Sequence, residues 1–191
     1  MDKVHYYFSL IHFKIDDLDI NLAMPQAWQA VELYHAIADD REDLGKWLPW
    51  AYKMQSADDE AKFIKTIQED MIQQRMIVLT ILVNGEPAGM IDLHKLVKNK
   101  KGEIGYWLSS KYQGHGIVTR SVLELCKYAF NELNLQYVDL IVAIENGKSS
   151  RVAEHAGFKL MGVEQNLIHD HQMAGKIFRK INPTRTSQSD L

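Results

Sequence analysis

Residues 103–144 constrain this chain more than any other stretch. Glu103 to Leu108 reads as a strand, Gly114-His115-Gly116 as a turn, roughly 117 to 133 as a helix, and Tyr137 to Ile144 as a buried strand rich in Val, Ile and Leu. The helix carries Val122, Leu125, Cys126, Ala129 and Phe130 at three- and four-residue spacing, which is one apolar stripe. Two strands joined through a helix favour parallel neighbours. The turn adds chemistry to the topology. Glycines let a ligand approach the backbone, and a helix start offers free N–H groups and the positive end of its dipole. Gly114 to Thr119 therefore has the makings of a phosphate site. A P-loop nucleotidase is excluded. It needs four residues between its glycines and Lys-Ser/Thr after the second, whereas His115 alone separates Gly114 from Gly116, and Ile117 and Val118 follow.

Upstream, the pattern is that of an antiparallel meander. Met76 to Val83 is largely apolar and ends at Asn84-Gly85, the strongest short hairpin signal. Ala88 to Leu96 returns, Lys98 to Gly102 makes a charged turn, and Glu103 to Ser109 is the third strand. Before it, Leu18 to Ala23 alternates as a half-buried strand. Pro25 suits the first turn of a helix striped by Ala27, Ala30, Val31, Tyr34 and Ile37. Ser56 is placed to cap a second helix, with Asp58, Asp59 and Glu60 in its first turn and Phe63, Ile64, Ile67 and Met71 as its core face. Between the two helices, Trp47-Leu48-Pro49-Trp50 is broken by proline and serves either the core or a substrate groove. After the crossover strand, Asn146 to Ala156 reads as a short helix, Gly157-Phe158 opens another strand and Gln172 to Ile181 a last one.

A chain of 191 residues can bury a sizeable core, and no linker divides it, so one domain over 1–191 is expected, with a frayed tail from 183 to 191. A net charge of -3 argues against broad nucleic-acid binding. The start lacks a basic segment leading into a long apolar run, so neither a signal peptide nor a membrane span is expected, and a reducing cytoplasm is the expected location. Cys126 has no internal partner and falls on the apolar stripe.

Two segments then fit together: Glu103-Ile-Gly-Tyr-Trp-Leu-Ser-Ser-Lys-Tyr-Gln-Gly-His-Gly-Ile-Val-Thr119 and Asn146-Gly-Lys-Ser-Ser-Arg-Val-Ala-Glu-His-Ala-Gly-Phe158. Together they resemble the GNAT acetyltransferase superfamily, and within it the Rim-type ribosomal-protein N-acetyltransferases. The resemblance also takes in Trp47 to Trp50 and the helix after Ser56, roughly residues 18 to 181. It implies an α/β fold of mixed α+β type: a largely antiparallel sheet flanked by helices, with a parallel, splayed strand pair at the cofactor. It implies acetyl-CoA as co-substrate and no metal. Gln113, Gly114, His115, Gly116, Ile117, Val118 and Thr119 would cradle the pyrophosphate, with Lys111 in a slot where the family has Arg or Gln. The backbone at Trp107 and Leu108 would pair with the pantetheine arm like an added strand, and an N–H there could polarise the thioester carbonyl. Asn146 would orient that arm or its own turn.

The implied reaction is direct attack of an amine on the thioester. Ser149 either hydrogen-bonds the leaving sulfur or caps the following helix. The base is open between Glu103, Glu164, Asp170 and His94; the slot where close relatives carry a carboxylate falls near Ile168, which cannot act as one. Trp47, Trp50 and His94 are the expected acceptor contacts. His169-Asp170-His171 alternates as a metal pair would, without an evident third ligand. The acceptor is expected to be a protein N-terminal α-amine; the alternatives are a small amine such as a polyamine or antibiotic, or a silent acyl-CoA-binding module. A second copy of the chain could cover the aromatic stretch at 47 to 50.

Overall fold

The computed structural model describes residues 5–168 and 173–184. In chain order they form β1 (Ser9–Ile15), β2 (Leu18–Ala23), α1 (Ala30–Asp39), α2 (Arg41–Gly45), α3 (Trp50–Lys53), α4 (Ala57–Ile72), β3 (Ile77–Val83), β4 (Glu86–Val97), β5 (Lys101–Leu108), α5 (Ile117–Asn131), β6 (Tyr137–Ala143), α6 (Gly147–His155), β7 (Lys159–Ile168) and β8 (Met173–Ile181). The fold is mixed α/β, with largely antiparallel strands and flanking helices. Two compact units divide it: Met1–Asp92 with Tyr106–Ile117, and Leu93–Gly105 with Val118–Leu191. The histidines at 169 and 171, Asp170, and the tail from 185 onward lie outside the described residues.

In the first unit the hydrogen-bonded order begins β1-β2-β3-β4. β2 pairs antiparallel with β1 and with β3. Asn84 and Gly85 join β3 to β4 with φ of 52° and 85°. Positive φ at both residues is what a two-residue hairpin turn matched to strand twist requires, and it explains why that dipeptide stands there. The core of this unit is built from Ala30, Leu33 and Ile37 of α1, Leu44 of α2, Ala51 of α3, Ile64 and Ile67 of α4, Val78, Met90 and Trp107.

Three stripe assignments need correction, and the first is Ala27, which is exposed in the turn before α1. Val31 is 46% exposed and Leu33 takes its place inside. A 3₁₀ turn over Ala27–Gln29 precedes α1. At three residues per turn it sets Ala27 off the phase of α1, whereas Val31 and Leu33 both lie within α1, whose inward line is Ala30, Leu33 and Ile37. On α4, Phe63 is 42% exposed, while Glu60 is 1% exposed. Residues 60, 64, 67 and 71 form the inward stripe, and its first position is a carboxyl group. Ser56 caps α4 as its sequence suggests, its Oγ accepting from the Asp59 N–H at 3.1 Å.

In the second unit the order is β5-β6-β8-β7. β6 runs antiparallel to β8, and β8 to β7. The β5–β6 pair is parallel, as the helical crossover demands, and its register runs only from Lys101↔Tyr137 to Glu103↔Asp139. Asp139 and Arg179 face each other across β6 and β8, with guanidinium–carboxylate contacts of 2.6 and 2.8 Å, and Arg179 also lies over the Tyr137 ring at 3.8 Å. The α5 stripe is buried from Val122 to Phe130, including Cys126, whose thiol burial pushes up to about 12.

Candidate active site

The first unit carries the glycine turn. β5 ends at Leu108, a 3₁₀ turn follows over Ser110–Tyr112, and Gln113 to Gly116 stand exposed before Ile117 opens α5. Gly114 and Gly116 have φ of 86° and 74°, the left-handed region that favours glycine. A Cβ built on either would meet nothing within 4 Å. The space over the turn is therefore open. Ile117 is buried and pins the helix start, whose first N–H groups have no intrahelical acceptor. An open turn whose backbone donors stand at a positive dipole end fits a pyrophosphate. Gln113 folds back, its Nε2 donating to the Leu108 carbonyl at 3.0 Å, and Lys111 Nζ lies 3.8 Å from Glu86 Oε2.

The same unit holds the aromatic pair. Trp107 is buried in the core cluster, and Trp50, at the start of α3, packs against it edge-on with ring centroids 6.1 Å apart. β4 passes very close behind: a Cβ on Gly89 would come within 2.3 Å of the Trp107 carbonyl oxygen. Trp47 is half-buried just before α3 and has no ring contact of this kind among the described residues.

The second unit carries the remaining candidates. The Asn146 Oδ1 accepts from the Ser149 N–H at 3.0 Å, so Asn146, not Ser149, is the cap of α6. Ser149 is half-buried, and its hydroxyl has no hydrogen-bond partner among the described residues. Val118 and Thr119 lie half-buried in the first turn of α5.

Glu103 is gripped from β4. His94 Nε2 lies 3.2 Å from its Oε1, and Lys95 Nζ lies 3.0 and 2.9 Å from its two oxygens. Neighbouring strand residues normally point to opposite faces. Here Lys95 has a φ of 49°, a left-handed kink in mid-strand that brings both side chains to one carboxylate. Burial pushes the Glu103 carboxyl up, but the hydrogen bonds from His94 and Lys95 and the Lys95 charge outweigh it and hold the group below its ordinary value. Glu164 is exposed on β7, and Ile168 ends that strand. Sequence reasoning missed the kink at Lys95 and the inward carboxyl of Glu60; no residue type there announces either. Among the described residues no group of three or more His, Cys, Asp or Glu is placed to hold a metal, and no helix is long and apolar enough to cross a membrane.

A model of the acetyltransferase (GNAT) domain matches residues 21–159. YdaF of Bacillus subtilis (strain 168), whose name carries a provisional assignment as a ribosomal N-acetyltransferase, is 37% identical over 75% of this chain and 78% of its own. The ribosomal-protein-serine acetyltransferase of Escherichia coli (strain K12) is 30% identical over 68% of this chain and 73% of its own. Among solved structures, the microcin C7 self-immunity acetyltransferase MccE, in complex with acetyl-CoA and AMP, superposes with a TM-score of 0.81 at 27% identity, covering 85% of this chain and 92% of that one.

Proposed function

We propose, for a chain that belongs to the GNAT family and transfers acetyl from acetyl-CoA to an amine, that the acceptor is a protein N-terminal α-amine. One observation carries this reading: Glu103 is committed to Lys95 and His94, which leaves it a weak proton acceptor. A lysine-like or polyamine nitrogen, with a reference pKa near ~10.4, needs a strong base at neutral pH, whereas an α-amine near ~8 needs little help. Two relatives whose names carry ribosomal acetyltransferase assignments, one of them naming a ribosomal protein, support the same acceptor.

Acetyl-CoA supplies an activated acetyl thioester. The N–H groups of Gln113 to Val118 bind its pyrophosphate, with the Thr119 hydroxyl as a further donor, and the Trp107 and Leu108 backbone aligns the pantetheine arm. His94 takes the amine proton. Glu103 orients that ring from its Nε2 side while its charge is shared with Lys95, so the help given to the amine is mild, as an α-amine allows. Ser149, released from capping duty by Asn146, donates its hydroxyl proton's hydrogen bond to the departing sulfur. Trp47 and Trp50 line the acceptor side. A small-molecule amine is the second reading, favoured by the relative solved with AMP.

The test is a panel of N-terminal peptides, polyamines and amine antibiotics with acetyl-CoA, read by release of free thiol. Turnover of peptides well above the other amines is expected. Turnover confined to small amines would move the acceptor class, and tight CoA binding with no turnover at all would make the chain a silent binding module. In the same assay Ser149→Ala should lower turnover by about tenfold or more with acetyl-CoA affinity little changed; a wild-type rate would remove Ser149 from the reaction.

A further inference from the structure

Two adjacent residues at the junction of α1 and α2 hold two distant segments by their ends. The Oδ2 of Asp40 accepts a hydrogen bond from the Ser110 backbone N–H at 2.6 Å. The Nη1 of Arg41 donates to the carbonyl oxygens of Ala51 and Met54, at 2.6 Å each. Ser110 opens the 3₁₀ turn that leads from β5 toward Gly114. Ala51 lies in α3 and Met54 caps its end, in the segment that carries Trp50.

The charges suit these ends. An N–H at the start of a helical turn lacks an internal acceptor, and a carboxylate satisfies it with favourable sign. A four-residue helix cannot satisfy its own last carbonyls, and a guanidinium with several donors in one fork can take two. An acid followed directly by a base thus fits one helix start and one helix end at a single point of the backbone. The partners lie 70, 10 and 13 residues away in sequence, so the bonds fix tertiary position, not local conformation.

We infer that Asp40 and Arg41 are a positioning pair that couples the approach to the glycine turn to the aromatic acceptor segment, so that a ligand ordering one segment stiffens the other. The assignment of acetyl-CoA to the turn rests on the proposed function. Coupling of this kind is reciprocal: cofactor and acceptor each tighten the other's binding by the same factor.

Calorimetric titration of acetyl-CoA into wild type, Asp40→Ala, Arg41→Met and the double variant tests this without turnover, with thermal melts as the folding control. Each single change is expected to raise Kd by about fivefold, Arg41→Met included although its contacts are on the acceptor segment, and the double variant to be no weaker than the worse single. Asn keeps an acceptor oxygen, so Asp40→Asn should recover most of the affinity, while Arg41→Lys, unable to serve both carbonyls, should recover part; these two carry the test if the harsher variants do not fold. Unchanged affinity in folded variants, or losses that simply multiply, would overturn the coupling and leave the proposed function standing. Failure of wild type itself to bind acetyl-CoA would overturn both.

Discussion

The indole of Trp50 meets that of Trp107 edge-on, with ring centroids 6.1 Å apart and planes inclined by 63°. This geometry aligns the positive ring edge of one with the negative face of the other. Trp107 is locked in the core, so Trp50 takes its orientation from a rigid neighbour on the strand expected to meet the pantetheine arm. Trp50→Phe should keep the fold and raise KM for the best acceptor of the panel by about threefold to tenfold, with KM for acetyl-CoA little moved. Trp107→Ala removes a core member and should cost about 3–5 kcal/mol of unfolding free energy. Steady-state kinetics and denaturant melts read the two separately.

Gly89 shows how tightly β4 must approach the end of β5. An alanine Cβ there would lie 2.3 Å from the Trp107 carbonyl oxygen and 2.9 Å from the Leu108 Cα, both backbone atoms that cannot swing aside. Gly89→Ala is expected to cost about 1–3 kcal/mol through overpacking. It should also weaken acetyl-CoA binding, because the displaced backbone is the piece proposed to pair with the cofactor. Full stability together with full affinity would show that the strand end yields freely.

Glu60 makes stability depend on pH. Burial pushes its carboxyl from 4.5 up to about 7, and its Oε1 has no hydrogen-bond partner among the described residues. Between these values the folded chain holds a proton that the unfolded chain has lost, so stability falls as pH rises through this window and levels off above about 7. The full loss is about 3 kcal/mol. Glu60→Gln should be close to wild type near pH 5 and more stable by about 1–3 kcal/mol near pH 8. Chemical denaturation across that range decides it; parallel pH profiles for the two proteins would show that Glu60 does not carry the dependence.

Asn146 and Ser149 sit three residues apart with separable jobs. Asn146→Ala removes the cap of α6 and should cost about 1 kcal/mol of stability. Ser149→Ala leaves the cap intact, since the bond uses its backbone N–H, and should leave the melting temperature within about 2 °C of wild type. A large stability loss in Ser149→Ala would return that hydroxyl to a structural role.

The sequence was most legible where local chemistry and tertiary need agree. Asn84-Gly85 reads as a two-residue hairpin because few other residues take positive φ twice in succession, and the glycine turn and α5 stripe stand out for similar reasons. Reading failed where neighbouring apolar residues compete for one face or where a polar residue takes an inward position. On α1 both Val31 and Leu33 are apolar and only Leu33 is buried, and the pattern on α4 hides that its innermost first-turn residue is an acid. At the site, residue identities pointed to Glu103 and His94 but not to their relation. That depends on one left-handed residue, Lys95, whose side chain carries no preference for such a conformation. The bonds of Asp40 and Arg41 are also invisible in sequence, because adjacent opposite charges on a helix boundary look like any solvated surface.

Cys126 has a practical consequence. Its sulfur lies inside the second unit, and its thiol is pushed up to about 12, so at neutral pH almost none of it is the reactive thiolate. A chromogenic disulfide reagent added to the native chain will find nothing to titrate until the chain unfolds. The protein is thus its own blank: colour that develops with acetyl-CoA and an acceptor counts CoA molecules set free, and a slow rise without acceptor clocks opening of the α5 core.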